Sequence, residues 1–331
     1  MTTQKTAESI MVRDYQTGMQ IFRSPHFGVD HPFRATRQVF GPSVVDTEAE
    51  THVARKRAWM AEFLPSSISS PEVQRVIDRA TEEGFDDAKD RGDLLQAAVY
   101  IPNRVLLLLL GLNDIDPIEH HERLRGITDF LETNQRSPKV AAARDYLQSG
   151  PFRETRRLFG GLSAEQQVSE LLLFSYAAGE TTFVAMKCMM LLWAQDPAAF
   201  ETRIKAEGLQ AFLGQNLRED PPLGIATRYC KADTTIGGIS FAKGDLVHVD
   251  IVATNQQCPI SARGQGDFTF GAGKHSCPGH LLAKAELEAV AKRLLQMDAS
   301  KYEVTGEFAD QRPVNFRDPG AMSIRRIVEA A

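Results

Sequence analysis

The chain has 331 residues, 43% hydrophobic and 24% charged, with a formal net charge of -5. Those values describe a soluble globular protein of one large domain or two ordinary ones, and the negative balance gives no reason to expect nucleic acid as a partner. The most apolar run, Val105 to Leu110, is far too short to span a bilayer, and Met1 to Ile10 has no apolar core of a signal peptide, so no membrane association is expected. Four cysteines at 188, 230, 258 and 277 form no C-x-x-C pair. This argues against a disulfide framework or a structural zinc site and for a reducing, cytoplasmic setting.

Ser9 to Arg13 reads as a short strand. Asp14 can cap a helix from Tyr15 to Arg23 that stops before Ser24-Pro25. His31 to Val45 is rich in Pro, Gly and aromatics and reads as a loop. Thr47 to Leu64 is predicted helical, and His52 and Lys56 share one of its faces. Helices follow from Ser70-Pro71 to about Asp90, over the apolar Leu94 to Leu112, from Asp116-Pro117 to about Asn134, and over Lys139 to Gln148. Ser163 and Gln166 form a capping box that opens a long helix to about Trp193, ending before Asp196-Pro197. Its residues are nearly all apolar, so it should cross the core. Small residues and an acid stand halfway along it: Ala177-Ala178-Gly179-Glu180-Thr181-Thr182. A threonine hydroxyl there can bond back to the preceding turn and open the helix locally. A carboxylate in a core helix is costly unless partnered, so Glu180 reads as functional; the alternative is that it reaches solvent or pairs with a Lys or Arg.

A helix over Leu209 to Glu219 ends at Asp220-Pro221-Pro222. Asp233 to Val249 alternates and turns at Gly237-Gly238 and Lys243-Gly244, the pattern of a small hairpin region. The sequence then reaches Phe270-Gly271-Ala272-Gly273-Lys274-His275-Ser276-Cys277-Pro278-Gly279, followed by an amphipathic helix from His280 to about Met297. A Cys just before a helix sits among unpaired N–H groups at the positive end of the dipole, and both favour thiolate over thiol. Gly273 and Gly279 let the backbone pass close to something large and flat, and Phe270 can shield one side of the sulfur. The residues describe a thiolate held out to a metal; the alternative is a buried Cys in a glycine-rich turn. A final β-type segment follows Lys301.

The pattern F-x-x-G-x-x-x-C-x-G resembles the cysteine-ligand loop of the cytochrome P450 family, and A-A-G-E-T-T resembles that family's oxygen-side helix. The resemblance runs from about Ser9 to the C-terminus. It implies a mainly α fold with small β-sheets, one haem-thiolate domain over 1–331, shortened at the N-terminus, in the lid region and in the meander before Phe270. It implies haem b (iron protoporphyrin IX), with Cys277 as the iron ligand. Phe270, Gly271, Gly279 and Ala178 would line the cofactor, and His275, His52, Lys56 and Arg228 would meet its propionates. Taken without the family, His52 and Lys56 would be a solvated face, and 31–45 is either a substrate-facing lid or a plain connection. Glu180 and Thr181 would be the acid–alcohol pair that manages protons at the distal face.

The sequence also departs from the family's pattern. H-x-x-x-K stands for H-x-x-x-R, and Gln215-Asn216-Leu217-Arg218 stands for E-x-x-R, so Arg218 loses its counter-ion unless Glu219 or Asp220 substitutes. No G-x-G-x-x-G fingerprint is present, since Gly271-Ala272-Gly273 supplies only its first part. Electrons would therefore come from a separate ferredoxin- or flavodoxin-type protein. The activity implied is oxygen insertion into a small organic substrate. A peroxide-driven or non-hydroxylating haem-thiolate enzyme, and a degenerate haem-binding protein without turnover, are the alternatives.

Overall fold

The structure, a computed structural model, describes residues 9–31, 34–153, 155, 158–259, 266–309 and 314–327. Part of the predicted loop at 31–45 and the centre of the shortened meander (260–265) lie outside them.

Local signals set most boundaries. Strand β1 (Ser9–Val12) leads to α1 (Tyr15–Arg23), whose N-cap Asp14 accepts from Thr17 N at 2.7 Å. After β2 (Phe27–Gly28), the stretch read as a loop contains a helix, α2 (Ala35–Phe40). It lacks a side-chain cap, and Val39 and Phe40 hold it by burial, which no local signal announces. Helices α3 (Ala49–Glu62) and α4 (Pro65–Ile68) precede α5 (Pro71–Arg91), capped by Ser70 and closed by Gly92 at φ 72°. Then come α6 (Gln96–Leu109), α7 (Pro117–Thr133, capped by Asp116), α8 (Pro138–Leu147) and α9 (Gly150–Arg153). The capping box of Ser163 and Gln166 opens α10 (Ala164–Gln195).

Helix α11 (Pro197–Glu207) was not anticipated, although Asp196-Pro197 is the same cap-plus-proline signal that opens α7; Asp196 accepts from Ala199 N at 2.9 Å. Helix α12 (Leu209–Glu219) follows. Strands β3 (Ile225–Cys230), β4 (Thr234–Ile236), β5 (Ile239–Phe241) and β6 (Leu246–Asp250) lead into α13 (Ile251–Gln257). Helix α14 (His280–Leu294) and the β7 (Tyr302–Gly306) and β8 (Met322–Arg326) pair complete the order.

The four-stranded sheet has the order β1-β6-β3-β2, with β1 parallel to β6 and the other pairs antiparallel. In that register Arg228 lies opposite Val247, so the pleat turns both toward the buried face. The large core gathers around α10, with α6 and α14 packed against it and α5 packed against those two. Gly179 permits a close approach: a Cβ there would stand 2.6 Å from Asn103 Oδ1 on α6. That glycine therefore serves helix packing. A second cluster joins α1 to the sheet and to Phe268. No helix among the described residues is long and apolar enough to cross a membrane.

Candidate active site

Cys277 lies between a short 3-10 turn (Gly273–His275) and the first residue of α14. Its N–H donates to Phe270 O at 2.7 Å, and Gly271 N donates to Phe268 O at 2.8 Å, so the loop closes on itself. Gly273 takes φ 70° with Phe22 O only 2.8 Å from where a Cβ would be, which leaves room for no side chain. The cysteine side chain is accessible, yet burial still pushes its thiol up. The backbone N–H groups of Gly279 and His280 and the charge of Lys56 oppose the burial effect. The N–H groups favour the thiolate, as expected, and burial outweighs them. A coordinated metal cation would remove that proton outright.

Basic groups collect beside this loop. Arg228 is 7% exposed; its guanidinium lies over the Phe22 ring at 4.6 Å and donates to the neighbouring Thr227 carbonyl. Burial, and then repulsion from Arg34, holds it down to about 9. Neither ring nitrogen of His275 has a hydrogen-bond partner among the described residues, and burial pushes that ring down to about 3. His52 sets its ring 4.0 Å from that of His275 and its nitrogens 3.1 and 3.0 Å from the carbonyls of Val44 and Lys274. A neutral imidazole can donate to only one of these. Lys56 donates to the Ser276 carbonyl. His52 and Lys56 thus reach the cysteine loop itself rather than a solvated face. Glu48 is the nearby acid, but Lys231 at 2.8 Å and Val29 N at 2.7 Å already hold it. Glu48 and Arg34 were not picked out from the sequence, and nothing in their local pattern marks them.

Buried cations short of anions, beside an accessible sulfur in an amide cradle, fit a flat ligand that brings both a metal and carboxylates. The residues present therefore fit haem.

On α10, Ala178 and Thr181 are half-buried. Thr181 Oγ1 donates to Ala177 O at 3.2 Å, the expected back-bond, and the helix stays continuous. Glu180 is 3% exposed and turns toward α7, with His121 Nδ1 at 3.5 Å and Arg125 at 3.7 Å. The pairing alternative therefore holds for its position. Burial raises its carboxyl to about 7, against the pull of Arg125 and Thr128. Arg218 donates to the Asn255 carbonyl at 3.0 Å, while Glu219 is held by Gln215 and Arg203 and Asp220 by Arg317. The expected carboxylate substitute is replaced by a carbonyl.

No family model matches the chain. It is 29% identical over 291 residues to the plant-inducible cytochrome P450-pinF1 of Rhizobium radiobacter, covering 77% of this chain and 68% of that one. It is 26% identical over 328 residues to cytochrome P450-SU2 of Streptomyces griseolus, covering 86% and 79%. Among solved structures, P450BioI in complex with a fatty-acid-ligated acyl carrier protein superposes with a TM-score of 0.79 at 16% identity, covering 96% of this chain and 92% of that one. The mainly helical fold with small sheets is thus that of these enzymes, and these relatives, with the fit of the site to haem b, support the cytochrome P450 family of monooxygenase oxidoreductases for this chain.

Proposed function

We propose that the whole chain forms one haem-thiolate unit that inserts one oxygen atom of O2 into a small organic substrate, in the bacterial cytoplasm and in secondary metabolism or catabolism. The observation that carries this reading is the accessible Cys277 sulfur facing the N–H groups of Gly279 and His280. Cys277 would hold the iron. Phe270, Gly271, Gly279 and Ala178 would border the ring, and Arg228, His275, His52 and Lys56, with Arg34 added from the structure, would answer its carboxylates. Bound haem supplies the oxygen-activating chemistry.

The balance of the reaction sets the work of the side chains. A C–H bond and O2, with two electrons and two protons, give a C–OH bond and water. Thr181 Oγ1 can hold and pass one proton on the face where Ala178 is also half-exposed. Glu180, with its carboxyl near neutrality, can restock that proton from the side of His121 and Arg125, the latter half-exposed. Electrons would come from a separate ferredoxin- or flavodoxin-type protein. A peroxide-driven enzyme is the second reading, favoured by the short stretch between Asn255 and Phe270. Product formation by haem-loaded protein with NADPH, reductase and ferredoxin supports the first reading. Turnover with peroxide alone and none with the electron chain would overturn it in favour of the second.

A further inference from the structure

Helix α12 carries Gln215 where the resembled motif has a carboxylate, and the structure has Gln215 looking elsewhere: its Nε2 donates to Glu219 Oε1 at 2.7 Å. The bond that Arg218 makes instead is one half of a reciprocal pair. Arg218 Nε donates to Asn255 O at 3.0 Å, and Asn255 Nδ2 donates to Arg218 O at 3.1 Å. The same amide nitrogen donates to Thr269 Oγ1 at 3.0 Å, and that hydroxyl donates to Leu217 O at 3.1 Å. Asn255 Oδ1 accepts from Phe268 N at 2.7 Å. Asn255 is 0% exposed, and every polar atom of its side chain is engaged.

We infer that Asn255 is a positioning residue for the cysteine loop, locking α12 to the strand of chain that carries Cys277 in place of the missing ion pair. The connection is continuous. Asn255 fixes Phe268 N, Phe268 O takes Gly271 N, and Phe270 O takes Cys277 N. The Phe268 ring seals the joint, stacked on Tyr15 at 5.0 Å and edge-on to Phe22 at 4.8 Å. An Asp at 255 would supply no donors for Arg218 O and Thr269 Oγ1, and an apolar residue would strand the Phe268 N–H in a dry site. The arrangement needs both ends of an amide.

This inference rests on Cys277 as the haem ligand, and the test separates the two. Haem-loaded wild type, N255A, T269V, Q215E and C277A are compared by the band type of the reduced carbon monoxide complex and by the rate of haem transfer to an acceptor apoprotein. T269V removes one hydroxyl with little change of shape, so it carries the test if N255A does not fold. Loss of three buried hydrogen bonds in N255A and two in T269V predicts about tenfold or more faster haem loss in both, with part of the thiolate-type band converted to the thiol type. Q215E should stay within about twofold of wild type, because Arg218 is already engaged. If C277A abolishes the thiolate-type band while T269V and any folded N255A keep it, with haem loss within about twofold of wild type, the lock is refuted and the ligand assignment stands. Several-fold slower haem loss in Q215E also refutes the lock. An unchanged band in C277A overturns both.

Discussion

Removing the Glu170 carboxylate should be among the most damaging single changes outside the cysteine loop. Glu170 on α10 is 0% exposed and meets three donors of the α3 region: the Arg55 guanidinium, Trp59 Nε1 at 2.7 Å and Val44 N at 3.2 Å. Burial pushes its carboxyl up, against the pull of those three. In Glu170→Ala the Arg55 charge stays buried and loses its counter-ion, which costs about 4 kcal/mol. For 331 residues the entropy of unfolding is roughly 0.7 kcal/mol per degree, so the melting temperature should fall by about 6 °C. His52 and Lys56 flank Arg55 on α3, so haem affinity should fall as well. Calorimetry of haem-loaded protein, with Glu170→Gln as a milder comparison, measures the first effect. A shift under about 1 °C would refute the claim that this pair ties α3 to α10.

Further outcomes follow from the same geometry. Glu286 is buried with Oε2 unbonded among the described residues, and burial raises its carboxyl well above its ordinary 4.5. Its contribution is fully present below about 4.5 and is lost as pH rises toward the raised value, so Glu286→Gln should leave acid stability alone and raise stability at neutral and alkaline pH in denaturant titrations. Arg228→Leu removes a buried cation, so the haem-free protein should melt no lower than wild type while haem affinity drops about tenfold, read by haemin titration. Thr181→Ala should uncouple oxygen consumption from product; tight coupling would favour a mechanism that bypasses its hydroxyl. In Glu180→Gln the inflection near pH 7 in the turnover profile should vanish, because the wild-type carboxyl holds its proton below about that pH and releases it above.

What could be read from the chain alone was what short-range chemistry controls. Asp14, Ser70, Asp116 and Ser163 announce their helices by capping, and the structure starts α1, α5, α7 and α10 where those caps say. The same signal at Asp196 was available and overlooked. Helix α2 was not legible, because packing of Phe40 against Tyr176 holds it rather than a cap. At the site, the place of Cys277 just before a helix and the Thr181 back-bond were legible from spacing. The burial that outweighs the helix N-terminus at Cys277 was not, because desolvation is set by distant elements. Arg34 and Asn255 matter only through what the fold brings to them across the sheet and from α12.

The central claim concerns the sulfur of Cys277. Haem-loaded wild type, reduced and treated with carbon monoxide, should give a thiolate-type absorption band, and Cys277→Ala should abolish it. The same band in wild type and variant, or its absence from a wild type that has bound haem, would contradict the assignment.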